Sequence, residues 1–327
     1  MGEKIKWGVL ATGGIASTFA KDLVHADNGL LYAVGSRNLA NAEQFAKEHG
    51  ATKAYGSYQE LVEDKEVDVI YVATPHPYHK ENVLTCLRAG KGVLCEKPFT
   101  VNALELEELI VFARKKKLFL MEAMWSRFLP SIQKVRDWIE TGEIGEVQLI
   151  KADFGFRAPW DPESRLLNPK LGGGALLDAG IYPVSFAAMI LGANPEKIMS
   201  TVTIGETGVD EQFSLLLEYQ NGKVASLNGA IRLNLTNEAV IHGTKGYIRI
   251  PSFLKSREAF LHVENKDVKT FVDDRSSIGY KFEAEEVGRL MQEGNLESNI
   301  MPLDQSLEIM KLMDKIREQW GLRYSFE

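Results

Sequence analysis

The segment Val67-Asp68-Val69-Ile70-Tyr71-Val72-Ala73 is apolar at every position but one and stops at a Thr-Pro break. A strand with one face in water alternates polar and apolar residues. A strand that does not alternate must be covered on both faces, as in a parallel sheet flanked by helices. Ile5 to Ala11, Leu30 to Gly35, Gly92 to Cys95 and Leu118 to Ala123 are further short apolar runs. Helical segments fall between them: Ile15, Phe19 and Leu23 at i, i+4 spacing, then Asn41 to His49, His79 to Ala89 and Val101 to Lys116. In the last, Leu106, Leu109, Ile110 and Ala113 stripe one face. Repeated βα units of this kind predict a doubly wound α/β domain with a mostly parallel sheet over residues 1–123.

From residue 124 the pattern changes. Phe128, Ile132, Val135 and Ile139 mark a helix ending at Gly142, and Gly174 to Leu191 reads as another. Strand-like segments follow, one of which alternates Ala225, Leu227, Gly229, Ile231 and Leu233 with Ser226, Asn228, Ala230 and Arg232. That half-polar alternation belongs to an antiparallel sheet with one face less buried. Gly243-Thr244-Lys245-Gly246 reads as a turn, and two helices close the chain, the last carrying Ile309, Leu312, Met313, Ile316 and Trp320. Residues 124–327 are therefore expected to form an α+β domain with a large, mostly antiparallel open sheet. A chain of 327 residues is long enough for two such cores.

Charge narrows the partners. Lys and Arg number 38 against 45 Asp and Glu, a net charge of −7, so no electrostatic drive toward nucleic acid or anionic lipid is expected. The densest basic run, Arg114 to Lys117, ends a predicted helix, where cations suit the dipole, and reads as a solvated helix end. Cys86 and Cys95 form no CxxC pair and no zinc-type cluster, so no metal site is expected and both read as buried free thiols. No apolar run approaches the ~18 residues of a membrane span. The N-terminus runs straight into a strand, and Gly2 lacks the Ser or Thr at position 6 of a myristoylation signal. The expected location is the cytoplasm.

The first βα turn is Gly8-Val9-Leu10-Ala11-Thr12-Gly13-Gly14-Ile15-Ala16. Against G-x-G-x-x-G/A, Gly13 leaves the backbone bare for a pyrophosphate and Ala16 permits close helix–strand packing, while Ala11 departs from the first glycine. The helix that follows offers free N–H groups to an anion, so the turn reads as a dinucleotide site. At the end of the second strand an acid would hold the ribose hydroxyls of NAD. This chain has Gly35-Ser36-Arg37-Asn38, with no Asp or Glu between Leu30 and Leu39. Ser36 and Arg37 suit a 2′-phosphate, so NADP is expected, with NAD as the alternative.

Cys95-Glu96-Lys97-Pro98 stands at the C-terminal end of a predicted parallel strand, the ligand-binding edge of such sheets, although from spacing alone the Glu-Lys pair reads as a surface ion pair. Further on, Gly172-Gly173-Gly174-Ala175-Leu176-Leu177-Asp178-Ala179-Gly180-Ile181-Tyr182-Pro183 places Asp178 and Tyr182 four apart, on one face of a helix. Brought together, an acid, a phenol and a lysine form a proton-transfer set. His76 and His79 lack further ligands at metal spacing; His79 reads as a helix start beside the cofactor and His76 as an exposed loop residue. Trp125 and Trp160 read either as an apolar wall for a ring-shaped substrate or as core.

The ATGGIA turn, TPHPYH, EKP and GGGALLDAGIYP, in this order and at these distances, resemble the glucose–fructose oxidoreductase/inositol dehydrogenase family along the whole chain. Met124-Trp125-Ser126-Arg127-Phe128, the Arg165-Leu166 stretch and Tyr182 are most similar to its branch of dimeric dihydrodiol dehydrogenases and NADP-dependent D-xylose dehydrogenases. The resemblance implies a Rossmann domain, a C-terminal sheet through which the chain forms a homodimer or higher homo-oligomer, and hydride transfer between nicotinamide and a carbinol carbon. By position it implies Lys97 and Tyr182 as acid–base residues and Asp178 as catalytic or substrate-orienting, with Trp125, Arg127 and Trp160 on the substrate side. It also implies cofactor contacts from Ala11, Thr12, Gly13, Gly14, Ile15, Ser36, Arg37, Thr74, Pro75, His79, Glu96 and Lys97. The expected substrate is a sugar or cyclic trans-diol. An inositol, amino sugar or anhydro sugar is the alternative, as is a non-catalytic nucleotide-sensing regulator, which would have no need of Lys97, Asp178 and Tyr182 together.

Overall fold

In the computed structural model, which describes residues 4–327, the apolar runs of the first part form one sheet. Its elements alternate as β1 (Ile5–Leu10), α1 (Gly14–Leu23), β2 (Gly29–Gly35), α2 (Leu39–His49), β3 (Lys53–Tyr55), α3 (Tyr58–Glu63), β4 (Val69–Val72), α4 (His79–Arg88), β5 (Gly92–Glu96), α5 (Ala103–Lys116) and β6 (Leu120–Ala123). The spatial order is β3-β2-β1-β4-β5-β6, and every neighbouring pair is parallel. The winding reverses between β1 and β4, the topological switch where α/β sheets bind ligands at their carboxyl ends. All four residues of β4 are buried, as its unbroken apolar run requires. The alternation read from the sequence omits β3 and α3. They are short and largely polar, and α3 is fixed by a capping box in which Ser57 Oγ accepts from Glu60 N (3.2 Å) and donates to the Glu60 carboxylate.

The following elements are α6 (Pro130–Glu140), β7 (Val147–Gly155), α7 (Ile181–Leu191), β8 (Lys197–Ile204), β9 (Asp210–Glu218), β10 (Val224–Ala230), β11 (Ala239–Gly243), β12 (Gly246–Ile250), β13 (Glu258–Val263) and β14 (Lys269–Val272), then α8 (Tyr280–Gln292) and α9 (Leu303–Trp320). The strands form one open sheet, β14-β13-β12-β11-β7-β10-β9-β8, antiparallel throughout except for the β7–β10 pair. Alternation sorts its faces. Ile150, Leu215, Ala225, Leu227 and Ile241 are buried, while Lys151, Leu216, Ser226 and Arg249 point to the other, more accessible side.

The chain divides into a first unit, reaching to Trp125 and including Ser277–Leu307, and a second of Ser126–Ser276 and Glu308–Glu327. The single boundary drawn at residue 123 therefore assigns α8 to the wrong side. The Asp22 carboxylate of α1 accepts N–H groups from Ile278, Gly279 and Lys281, which caps α8 from the far end of the sequence. Asn28 Nδ2 donates to Glu285 O (2.8 Å).

Two surface expectations need correction. The segment Pro169–Leu191 is long and apolar enough to pass for a membrane span, but 83% of its window is buried inside the protein, so it is a core element. Arg114 is not merely solvated: it pairs with Glu297 (2.7 Å) and Asp304 (2.9 Å). Gly2 lies outside the described residues. Cys86 and Cys95 are buried free thiols, and burial pushes both well above the usual thiol range.

Candidate active site

In the first unit the carboxyl ends of β1, β2, β4 and β5 carry the dinucleotide candidates. The backbone joins them: Ala11 N donates to Gly35 O (3.0 Å) and Ala73 N to Leu10 O (3.1 Å). Gly13 precedes α1 with no side-chain cap and no acidic residue in the first turn, so the leading N–H groups of the helix have no anionic side chain to meet. A Cβ built on Gly13 or Gly14 would touch nothing within 4 Å. The two glycines are thus not demanded by packing within the protein; they leave a bare surface of the kind a pyrophosphate needs. Ala11 has φ 89°, a conformation that favours glycine, so the turn of the glycine-rich motif is made there despite the substitution.

Ser36 is buried at the end of β2, where its Oγ accepts from Asn38 N (3.4 Å). Arg37 is exposed beside the half-buried Tyr58, and among the described residues no carboxylate is paired with it. Thr74 is buried and its Oγ1 accepts from Asn82 Nδ2 (3.0 Å), while Pro75 is exposed. Thr12 and Ile15 are half-buried around the turn.

His79 stands at the start of α4, in the stretch where the resemblance implies a cofactor contact. It is fully enclosed, with Nε2 2.7 Å from Thr74 O and Nδ1 2.9 Å from Pro98 O, so the ring ties the loop after β4 to the loop after β5. Burial pulls its pKa down, while the carbonyls of Thr74, Pro98 and Phe99 push it up. His76, expected on an exposed loop, is buried with its ring edge-on to His79 at 5.8 Å.

Glu96 is buried at the end of β5. It accepts a hydrogen bond from the Tyr71 hydroxyl through Oε1 and from the backbone N of Lys97 through Oε2 (3.1 Å). The Tyr71 ring stacks on Phe19 (3.8 Å), and burial together with the Glu96 charge pushes its phenol well up, so it stays a donor. Neither residue type predicts this pairing, because Tyr71 reads as strand core. Lys97 itself is half-buried. Trp125 is 2% exposed and stacks on Tyr280 (4.5 Å), so within this unit it is core, not a wall for substrate.

In the second unit, Leu176–Gly180 forms a π-helical turn that runs directly into α7. Single π turns widen a helix locally and recur at functional sites. Asp178 lies in the turn and Tyr182 just beyond it, 5% and 7% exposed. Arg165, quoted in the sequence only for its resemblance, pairs with Asp178 (2.6 Å) from a half-exposed position. The Tyr182 ring stands edge-on to Phe154 (5.5 Å). Trp160 is 46% exposed under the Arg232 guanidinium (5.5 Å). Arg127 departs from the substrate role: it is buried, with Nε on Ser185 Oγ (2.9 Å) and Nη2 on Ser185 O (2.7 Å), fastening the segment before α6 to α7. Among the described residues no group of three His, Cys, Asp or Glu is placed to hold a metal.

Residues 5–124 match the oxidoreductase family with an NAD-binding Rossmann fold, and residues 132–249 match the GFO/IDH/MocA C-terminal domain. Trans-1,2-dihydrobenzene-1,2-diol dehydrogenase of Xenopus laevis is 42% identical over 98% of this chain and 99% of its own. The Homo sapiens protein of that name is 36% identical over 98% of both. A 3-ketoreductase from Actinomadura kijaniata, solved with NADP and TDP-benzene, superposes with a TM-score of 0.85 at 26% identity, over 97% of this chain and 98% of its own. Aldose-aldose oxidoreductase from Caulobacter crescentus shares the fold, with a TM-score of 0.87 at 22% identity over 98% of both chains.

Proposed function

The chain belongs to the GFO/IDH/MocA oxidoreductase family, and from that membership we propose that it is an NADP-preferring dehydrogenase of a cyclic trans-diol or a sugar. The observation that carries the reaction type is the pairing of an Arg165-held Asp178 with Tyr182 on one helical segment, in a chain that also has Lys97 at a sheet's carboxyl edge. Bound nicotinamide supplies the hydride acceptor or donor. The protein's own residues handle the rest. Tyr182 takes the hydroxyl proton as the carbinol is oxidised, Lys97 supplies the positive charge that favours the phenolate, and Asp178 receives a substrate hydroxyl. Identity of 36–42% to relatives named for a dihydrodiol supports the diol as first substrate to test.

The NADP preference rests on Arg37, a guanidinium without a carboxylate partner among the described residues, and on the lack of an acid beside it in the sequence. Purified protein is expected to reduce NADP, followed by absorbance, with a trans-dihydrodiol or an aldopentose. Arg37→Ala is expected to weaken NADPH binding about 10- to 100-fold, the loss of one or two charge-assisted hydrogen bonds, and to leave NADH binding unchanged. Equal loss for both nucleotides removes Arg37 from the 2′-phosphate site.

Self-association through the eight-stranded sheet is the second part of the reading. Its accessible face carries Leu216 and Tyr247, each more than a third exposed, and the Tyr247 ring stacks on His262 (4.3 Å). Apolar surface of this kind on a sheet face favours a second copy. Light scattering is expected to give a mass of at least two chains; a mass of one chain sinks it. A cytoplasmic enzyme is the matching location.

A further inference from the structure

Asp210, the first residue of β9, has no exposed surface. Its Oδ2 accepts from Leu176 N at 2.6 Å, at the opening of the π turn. Its Oδ1 has no hydrogen-bond partner and lies so close to Gly174 that a Cβ there would stand 2.1 Å away, at a φ of +129° that side chains rarely adopt. Gly174 O in turn accepts from Asp178 N (3.3 Å). The neighbouring carbonyl, Gly173 O, accepts from the Tyr324 hydroxyl (2.7 Å). The start of the segment that carries Asp178 and Tyr182 is thus held by a buried carboxylate and a buried phenol, both from outside it.

A buried aspartate with one satisfied oxygen is a poor stabiliser. An unpaired buried carboxylate oxygen costs more than an amide or apolar side chain at the same place. We propose that Asp210 is a positioning residue for the Asp178–Tyr182 pair, its carboxylate fixing where the π turn begins and hence where both side chains point. This rests on the reading of Asp178 and Tyr182 given above.

The groups facing Asp210 are the N–H groups of Ala175 and Leu176, the Arg317 guanidinium and the Tyr324 hydroxyl; Glu327 and Asp314 stand behind, paired to Arg317 at 2.8 Å. Burial pushes Asp210 up to about 7, only partly offset by the N–H groups of Leu176, of Asp210 itself and of Ala175 and by Arg317. The charged form, which accepts the stronger hydrogen bond, is therefore gained as pH rises through about 7. Stability runs the other way. The folded pKa lies above the ordinary 3.8, so the contribution of Asp210 to folding is full below about 4 and lost as pH rises through about 7. A residue serving only the fold would not set activity and stability against each other.

The test is Asp210→Asn, with kcat followed from pH 5 to 9 alongside thermal melts and NADPH titration. Wild-type kcat is expected to rise through an acid limb with a midpoint near 7. Asp210→Asn is expected to lack that limb, to turn over about tenfold more slowly at pH 8 and to bind NADPH normally. Its melting temperature should not fall with pH as the wild type's does. Protection of the Ala175–Asp178 amides against hydrogen exchange supplies a readout on the wild-type protein alone: it should rise with pH in step with kcat, and protection that ignores pH overturns the proposal. Wild-type turnover in Asp210→Asn, alongside loss of turnover in Tyr182→Phe, overturns the positioning role alone. Full turnover in Tyr182→Phe overturns the reading of the site and the positioning role with it.

Discussion

Tyr182→Phe lowers kcat about 10²- to 10⁴-fold, the usual contribution of a positioned acid–base group, and leaves NADPH affinity within about twofold. The substitution removes one oxygen and nothing else. The ring is buried and stands edge-on to Phe154 at 5.5 Å, a contact that phenylalanine keeps, so α7 and the π turn before it stay in place. The residues proposed to bind the cofactor belong to the first unit and the substitution leaves every one of them unchanged, so binding of NADPH is not expected to respond. Steady-state kinetics with a trans-dihydrodiol, beside a fluorescence titration with NADPH, separate the two effects. Turnover within tenfold of wild type would leave Lys97 as the residue that moves the proton.

How much of this was legible in the sequence depends on the range of the forces involved. The parallel sheet was legible because a strand covered on both faces cannot hide its composition: all four residues of β4 are buried and all four are apolar. The glycine-rich turn before α1 was legible as a turn because its demands on the backbone are local. The placement of α8 was not. It depends on Asp22 accepting the N–H groups of Ile278 and Gly279, more than 250 positions away, and no local pattern announces that contact. Side-chain direction was the other limit. His79, Trp125 and Arg127 lie in the stretches that the motifs marked, yet each turns inward: His79 to backbone carbonyls, Trp125 to Tyr280, Arg127 to Ser185. The ion pair of Arg165 with Asp178, 13 positions on, exists only in the fold. Motif spacing reports that a residue is near a site, not which way it points.

Lys97→Ala is expected to lower kcat about 10²- to 10³-fold without unfolding the first unit. The bond that anchors this position, backbone N to Glu96 Oε2 at 3.1 Å, is made by the main chain and survives in alanine. Glu96 keeps its Tyr71 partner, so two contacts that hold the end of β5 remain when the ammonium is removed. If that charge acts by favouring the phenolate of Tyr182, bulk pH can replace it. An ordinary phenol ionises near ~10, so oxidation by Lys97→Ala should climb steadily from pH 8 to 10, where the wild type has levelled off. Tyr182→Phe should show no such recovery, having no phenol to ionise. The double variant then decides the mechanism: where lysine works through tyrosine, Tyr182→Phe with Lys97→Ala is no slower than Tyr182→Phe alone, because the second change removes support from a group already gone. Losses that multiply instead would mean that Lys97 and Tyr182 act on the substrate independently, and the lysine would then be assigned its own contact with the reacting carbinol.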